Sequence, residues 1–90
     1  MPVAVHISPQ HMTKQDYEAM ISDLEAAGMS EPEGRLFHAA YGDDDVHMFE
    51  VWESPEQFKA HREQTLATLQ ASTLGPTRVE MHQVHSSHPD

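Results

Sequence analysis

The stretch HMFEVWESPEQF, residues 47–58, changes its periodicity halfway along and so marks where a strand gives way to a helix. Up to Trp52 the side chains alternate as they do along a strand, and from Ser54 the pattern is that of a helix start. Ser54 is a good N-cap, Pro55 suits the first helical position because no N–H is needed there, and Gln57 completes a capping box. We therefore predict a strand that ends at Trp52 and a helix that begins two residues later.

The segments on either side of this junction are assigned by the same rules. Alternating apolar residues indicate strands, recurrences every three or four residues indicate helices, and Gly, Pro and Asp clusters separate them. The predicted elements are strands over 3–8, 35–41, 46–52 and 78–85 and helices over 13–28 and 54–75. The first helix begins at a capping box over 13–16, with Thr13 as its N-cap. This order predicts an α+β fold of the ferredoxin-like βαββαβ type, with a four-stranded antiparallel sheet and two helices on one face.

The charge balance is strongly acidic, with 15 Asp and Glu against 5 Lys and Arg and a formal net charge of −10. This sign opposes binding to a phosphate backbone or to anionic lipid, so we expect neither nucleic acid nor membrane as a partner. The chain has no Cys for a disulfide or a thiolate site, and no apolar run approaches the roughly 20 residues that cross a bilayer. We expect a soluble, cytoplasmic protein.

The length suits one small domain, which we place over 1–85, with a loose C-terminal tail over 86–90. Two helices cover only one face of a four-stranded sheet. The hairpin strands carry apolar residues on both faces, with Leu36, Phe49 and Val51 on one side and Phe37, Met48 and Trp52 on the other. A second copy of the chain is the simplest cover for the open face, so we expect a homodimer closed through it.

At the strand-to-helix junction the chain resembles a known family. The stretch EVWES over 50–54, followed by a helix that carries Phe58 and His61, is similar to the third strand and second helix of the antibiotic-biosynthesis-monooxygenase-like family. The element order matches over nearly the whole chain. The resemblance implies a dimeric α+β barrel whose relatives include quinone-forming oxygenases, haem-degrading enzymes, isomerases and cyclases.

Two groups within this family can be compared with the chain at single positions. In anthrone-oxidising members the Trp at the place of Trp52 lines a cavity between sheet and helices, with an Asn four residues earlier and a Tyr six residues later. Those places hold Met48 and Phe58 here. Haem-degrading members carry a catalytic Trp near the place of His61 and a downstream His about where this chain has Ala71. The resemblance therefore disfavours haem degradation.

A hairpin that pairs Tyr41 with Val46 would put one set of side chains on a common sheet face. That set consists of three cross-strand pairs, Arg35 with Trp52, Phe37 with Glu50 and Ala39 with Met48. The resemblance makes this the cavity face, and the expected substrate-binding residues are Phe37, Met48, Glu50, Phe58 and Arg35. A buried Glu50 is costly unless it is paired, so a structural ion pair with Arg35 or Arg78 is favoured over a catalytic role.

Three residues are candidates for catalysis. His61 lies at the edge of the apolar stripe of the second helix, where a half-buried imidazole can act as a general base near neutral pH. Tyr17 opens the buried stripe of the first helix and could donate a phenolic hydrogen bond into the same cavity. Trp52 would line the cavity. Each has a structural alternative: a rim histidine, a tyrosine with its hydroxyl in water, and a packed core aromatic.

The chain has eight histidines, and this number suggests a metal site as one hypothesis. In the expected register His38 and His47 fall on the open sheet face, where two from each subunit could bind Zn or Ni. No third protein ligand has a clear spacing, so a polar role at the subunit interface is favoured. We predict no metal site and no cofactor.

The leading functional hypothesis is a cofactor-independent monooxygenase that acts on a small aromatic or enolisable substrate. His61 would remove a proton, and the resulting electron-rich anion would itself react with oxygen in a cavity that orients it and excludes water. Tyr17 or Arg35 would stabilise the anion. The alternatives are a non-oxidative isomerase or cyclase and a small-molecule-binding dimer without turnover.

Overall fold

The computed structural model of the chain describes residues 2–69 and 77–85, except for the side chains of residues 66–69. Its elements are β1 (Val3–Pro9), α1 (Lys14–Ala26), β2 (Arg35–Tyr41), β3 (His47–Trp52), α2 (Pro55–Leu69) and β4 (Thr77–Gln83). The strands form one antiparallel sheet in the order β2-β3-β1-β4. The predicted ferredoxin-like fold is confirmed. The predicted end of the second helix, over 70–75, and the predicted tail, over 86–90, lie outside the described residues.

Both helices begin at the caps that the sequence predicts. The Thr13 hydroxyl accepts a hydrogen bond from the backbone N–H of Asp16 at 3.1 Å, and the Asp16 carboxylate accepts one from the N–H of Thr13 at 3.1 Å. At α2 the Ser54 hydroxyl accepts a bond from the N–H of Gln57 at 3.3 Å and donates to its side-chain oxygen at 3.0 Å. These bonds satisfy backbone N–H groups of the first helical turn, which have no acceptor within the helix. This capping allows α2 to begin directly after β3.

The central strand β1 and its neighbour β3 supply most of the sheet face that the helices cover. On this face Val3 pairs with Trp52, Val5 with Glu50 and Ile7 with Met48. Val5 and Trp52 have 0% of their surface exposed. Because side chains alternate along a strand, the intervening residues of β1 and β3 point to the opposite, open face of the sheet.

The pairing of β2 with β3 contains an irregularity that changes the expected register. Arg35 pairs with Trp52, as predicted, but the register shifts between Arg35 and Phe37, and Phe37 then pairs with Val51. One extra residue in β2 moves every later side chain of that strand to the other face. The predicted register is therefore right at the start of β2 and wrong for the rest of it.

This shift exchanges two residues between the faces of the sheet. The expected position of Phe37 on the cavity face is wrong, because its side chain is 52% exposed and packs edge-on against Phe49 on the open face. His38, which the expected register places on the open face, lies opposite Glu50 beneath the helices. A histidine thus occupies the place where an apolar wall residue was expected.

Two clusters of buried side chains fill the space between the sheet and the helices. The first consists of Met12, Met20, Leu24, Val46 and Met48. The second consists of Val3, Val5, Trp52 and Phe58. Ile7 packs against both clusters. The first cluster lies under α1 and the second under the start of α2, so the space between them is bounded by both helices.

The opposite face of the sheet is exposed in the single chain. Four large side chains of β2 and β3 are between 36% and 56% exposed: Leu36, Phe37, Tyr41 and Phe49. His47 also lies on this face, where its ring stacks on that of Tyr41 with 5.5 Å between the ring centroids. Within 2–69 and 77–85, no helix is both long enough and apolar enough to cross a bilayer.

Candidate functional site

A cavity of about 80 Å³ lies between the sheet, α1 and α2. Its walls are mainly apolar and include Ile7, Met20, Leu24, Met48 and Phe58. Five side chains that carry ionisable groups also line it: Arg35, His38, Glu50, His61 and Arg62. The volume is about half of the ~150 Å³ cavity known to admit benzene. It suits a very small molecule or the reacting end of a larger one.

Glu50 is the buried carboxylate of the site and is 4% exposed. Its Oε1 accepts the indole N–H of Trp52 at 2.8 Å, and its Oε2 lies 2.6 Å from Nδ1 of His38. The guanidinium of Arg35 completes the set, with 3.5 Å between Nη1 and Oε2. Arg35, rather than Arg78, is therefore the partner, while Arg78 contacts Glu80.

Three donors around Glu50 determine its charge. Burial alone would raise the pKa of Glu50, but the hydrogen bonds from His38 and Trp52, together with the charges of His38 and Arg35, outweigh it and lower that pKa. Glu50 is thus an ionised acceptor at neutral pH, and its oxygens are occupied by protein donors. This arrangement fits a structural anchor for the site rather than a free catalytic carboxylate.

His38 connects Glu50 to Tyr17. An ionised carboxylate can only accept, so Nδ1 of His38 donates to Glu50. The Tyr17 hydroxyl lies within hydrogen-bond distance of the other ring nitrogen, 2.7 Å from Nε2, with the two rings within 7° of coplanarity. Burial raises the pKa of Tyr17, so the hydroxyl keeps its proton. A continuous chain of hydrogen bonds runs from Tyr17 through His38 to Glu50.

His61 faces the cavity from α2. Phe58, His61, Arg62 and Thr65 all line the cavity, because residues three, four and seven apart share one helix face. Nε2 of His61 lies 3.3 Å from the Thr65 hydroxyl. Burial lowers the pKa of His61. The charge of Glu50 raises this pKa, whereas the charges of Arg35 and His38 lower it further, and the pKa stays below its ordinary value. The imidazole is therefore neutral at pH 7 and can accept a proton.

Trp52 packs behind the side chains that line the cavity. The residue is fully buried, at 0% exposure, and does not itself line the cavity. Its ring packs against Phe58, with 5.8 Å between centroids, and against His61, with 5.3 Å between centroids. With its N–H bonded to Glu50, Trp52 joins the helix face that carries His61 to the strand that carries the carboxylate.

The residues singled out from the sequence fall into three groups. Those that line the cavity are Arg35, Met48, Glu50, Phe58 and His61. Tyr17 and Trp52 lie one hydrogen bond behind the lining, through His38 and Glu50 respectively. Phe37 is on the other face of the sheet.

Sequence reasoning missed two of the ionisable residues that line the cavity, His38 and Arg62. The shift in β2 hides His38, although the adjacent apolar residues 36 and 37 break the two-residue period and hint at a bulge. Arg62 follows Phe58 by four residues, the spacing that puts two side chains on the same helix face. That spacing could have identified Arg62.

The two-histidine metal site considered from the sequence does not form within the chain. His38 lies under the helices, whereas His47 lies on the open face, where its Nδ1 is 3.0 Å from the Ser8 hydroxyl. Over the described ranges, no group of three or more His, Cys, Asp or Glu side chains is arranged to hold a metal ion.

Known structures share this arrangement of strands and helices. A variant of SnoaB, a cofactor-independent oxygenase from Streptomyces nogalater, superimposes with a TM-score of 0.65 at 16% identity, covering 99% of this chain and 97% of that one. Rv0793 from Mycobacterium tuberculosis gives a TM-score of 0.66 at 20% identity, covering 97% of this chain and 98% of that one. A candidate antibiotic biosynthesis monooxygenase from Chloroflexus aurantiacus gives 0.57 at 23% identity, covering 96% and 97%.

The structural likeness extends over nearly the whole of each chain. No family model and no curated protein matches the sequence. The chain has the ferredoxin-like α+β fold found in monooxygenase-type proteins of this size, and among these it is similar to SnoaB and to the Chloroflexus protein. The resemblance noted from residues 50–54 is thus confirmed at the level of the fold.

Proposed function

We propose that the protein is a cofactor-independent monooxygenase for a small aromatic or enolisable substrate, with His61 as the general base. The observation that carries the proposal is a neutral imidazole facing a mainly apolar cavity. An apolar cavity favours binding of a carbon skeleton, and a neutral imidazole can take a proton from it. The likeness to a cofactor-independent oxygenase supports the same class of reaction.

The proposed reaction begins with removal of a proton from an acidic C–H or O–H group of the substrate by His61. The resulting anion transfers one electron to O₂, and the two radicals combine to form a C–O bond. The peroxide formed in this way loses water and leaves a carbonyl group. For a methylene group the balance is CH₂ plus O₂ giving C=O plus H₂O, so the reaction needs no external reductant.

The surrounding residues support this chemistry by position. Met48 and Phe58 exclude water from the bound anion, which otherwise would be reprotonated. The contact of Trp52 with the His61 ring and its bond to Glu50 hold the base in a fixed orientation. Tyr17 and Trp52 act from behind the cavity, and no direct contact between either residue and the substrate is needed.

We further propose that this site works in a homodimer closed through the open sheet face. The exposed side chains of Leu36, Phe37 and Phe49 support this, because exposed apolar patches on a small domain are typical of interfaces. A second copy would remove them from water. The cytoplasmic location stays a prediction from the sequence.

The test is oxygen consumption by the purified protein with a panel of small hydroquinones, anthrones and other enolisable compounds. Wild type is compared with His61→Gln and with His85→Gln, an exposed histidine outside the cavity. We expect turnover by wild type and His85→Gln and a loss of about 100-fold or more in His61→Gln, the usual contribution of a general base.

Three outcomes would contradict the proposal. Equal turnover by His61→Gln would remove the assigned base. Product formation that continues without oxygen would instead support an isomerase or cyclase. Binding of panel compounds that are recovered unchanged would support a protein that binds small molecules without turnover.

A further inference from the structure

We infer that the cavity accepts its ligand as an organic anion, an apolar skeleton with one acidic oxygen group, and that Arg62 binds this group. The inference rests on the proposed function, since it names the substrate class of the same site. It goes beyond that proposal because it assigns a specificity residue that the reaction itself does not require.

The distribution of positive charge in the chain is the first observation. The sequence has only 5 Lys and Arg against 15 Asp and Glu. Two of these cations, Arg35 and Arg62, line the cavity, and Glu50 is the single carboxylate among the lining residues. A strongly acidic protein therefore places two of its three guanidinium groups around a mainly apolar cavity.

Arg35 is already used within the protein. Its Nη2 donates to the backbone carbonyl of Ser30 at 2.8 Å, and its Nη1 faces Glu50. The other donor considered from the sequence, the Tyr17 hydroxyl, is directed at His38. Both groups that were expected to stabilise an anion thus have partners within the protein.

Arg62 is the second arginine that lines the cavity. It is partly buried on the cavity face of α2, and its guanidinium has no hydrogen-bond or ion-pair partner among the residues that the structure describes. The side chains that the structure does not describe include none of Asp or Glu over 66–76 and one over 86–90, Asp90. A guanidinium offers five donors and cannot lose its charge, and carboxylate or phenolate oxygens suit its planar geometry.

The charges around the cavity favour the same ligand. The Glu50 carboxylate is balanced by the Arg35 guanidinium, which leaves the positive charge of Arg62 without a counterion among the lining residues. His61, next to Arg62 in sequence and on the same helix face, is neutral at pH 7 because burial lowers its pKa. An anionic oxygen bound by Arg62 would therefore lie beside the proposed base, and no unbalanced negative charge among the lining residues would repel it.

The test compares propionate with propionamide, two small probes of similar shape that differ in charge, by isothermal titration calorimetry without substrate or turnover. The variants are Arg62→Gln, Arg62→Lys and, as a matched control, Lys59→Gln, which removes an exposed cation from the same helix. We expect wild type to bind propionate at least about tenfold more tightly than propionamide, because charge-assisted hydrogen bonds are the stronger kind. The preference should vanish in Arg62→Gln, persist in part in Arg62→Lys and remain intact in Lys59→Gln.

Propionate binding no tighter than that of propionamide in wild type, including no measurable binding of either, would overturn the inference. So would a preference that survives in Arg62→Gln. Circular dichroism spectra and thermal midpoints of the variants show whether each is folded. Since binding is measured without oxygen, a preference for propionate in a protein that shows no oxygen consumption would contradict the proposed function and leave the anion site standing.

Discussion

His38 and Glu50 lie opposite each other on neighbouring strands, with 2.6 Å between Nδ1 of the imidazole and Oε2 of the carboxylate. This contact exists because of the register shift in β2, which turns His38 toward the helices. It makes Nδ1 of His38 a donor to the carboxylate, adds to the lowered pKa of Glu50 and, through the Tyr17 hydroxyl, connects α1 to the sheet. The polar part of the cavity therefore depends on one extra residue in one strand.

Replacing Glu50 by Gln should destabilise the protein. A Gln side chain presents one oxygen and one NH₂ group, so it cannot accept bonds from both the Trp52 indole and the His38 ring. We expect a loss of about 1–3 kcal/mol in the free energy of unfolding, the usual cost of leaving a buried donor unpaired. Urea denaturation at pH 7 measures it, with the exposed Glu53→Gln as control. A Glu50→Gln protein as stable as wild type would contradict the assigned network.

The contribution of Glu50 should also depend on pH. Its pKa in the folded protein lies below the ordinary value of 4.5, so its ionised form stabilises the fold fully above pH 4.5, and this contribution is lost as the pH falls through the folded-state pKa. The difference in unfolding free energy between wild type and Glu50→Gln should shrink as the pH falls below 4.5. A difference in unfolding free energy that grows as the pH falls would show that folding raises the pKa of Glu50 instead of lowering it.

His61 should titrate below the ordinary histidine value of 6.5, because burial disfavours its charged form. The folded protein then loses stability as the pH falls below 6.5, since the unfolded chain binds this proton more readily. NMR titration of the histidine ring protons measures the pKa, and His61→Gln identifies the resonance. A His61 resonance that titrates above 6.5 would leave the imidazole charged near neutral pH and would contradict its assignment as a base.

Replacing Phe49 by Glu should dissociate the proposed homodimer. Phe49 lies on the open sheet face, 36% exposed and in contact with Phe37, and a carboxylate there would be buried without a partner in a face-to-face dimer. Sedimentation velocity at micromolar concentration should show a dimer for wild type and a monomer for the variant. The exposed turn substitution Asp44→Asn is the control. A wild-type protein that sediments as a folded monomer would contradict the dimer.

Local signals in the sequence were sufficient to predict the architecture. The capping patterns at Thr13 and Ser54 and the alternation in β3 act over a few residues, and the structure has both helices and all four strands where these signals place them. The predicted pairing of Arg35 with Trp52 is observed too, but the predicted pairing of Tyr41 with Val46 is wrong: Tyr41 pairs with His47, and the bulge in β2 offsets this error by one residue. Short-range chemistry determines the helices and strands, so they can be derived without knowledge of the packing.

The arrangement of the site could be predicted only in part. Met48, Glu50, Phe58 and His61 were assigned to the cavity from periodicity and resemblance together. The exchange of Phe37 for His38 was not, because a bulge depends on how two strands pair and leaves only a faint trace in the sequence. The Tyr17 bond to His38 depends on the same shift. A single-residue change in register thus determines which chemistry faces the cavity.

The central claim, oxygenation by a base and a cavity without a cofactor, is tested most directly by labelling the product. Wild type and His61→Gln are incubated under ¹⁸O₂ in unlabelled water with a metal chelator and a turned-over compound, and the product is quenched at once to limit oxygen exchange. The account predicts one ¹⁸O atom per product molecule from wild type and about 100-fold less labelled product from His61→Gln. Product that carries no ¹⁸O, or equal labelling by the variant, would contradict it.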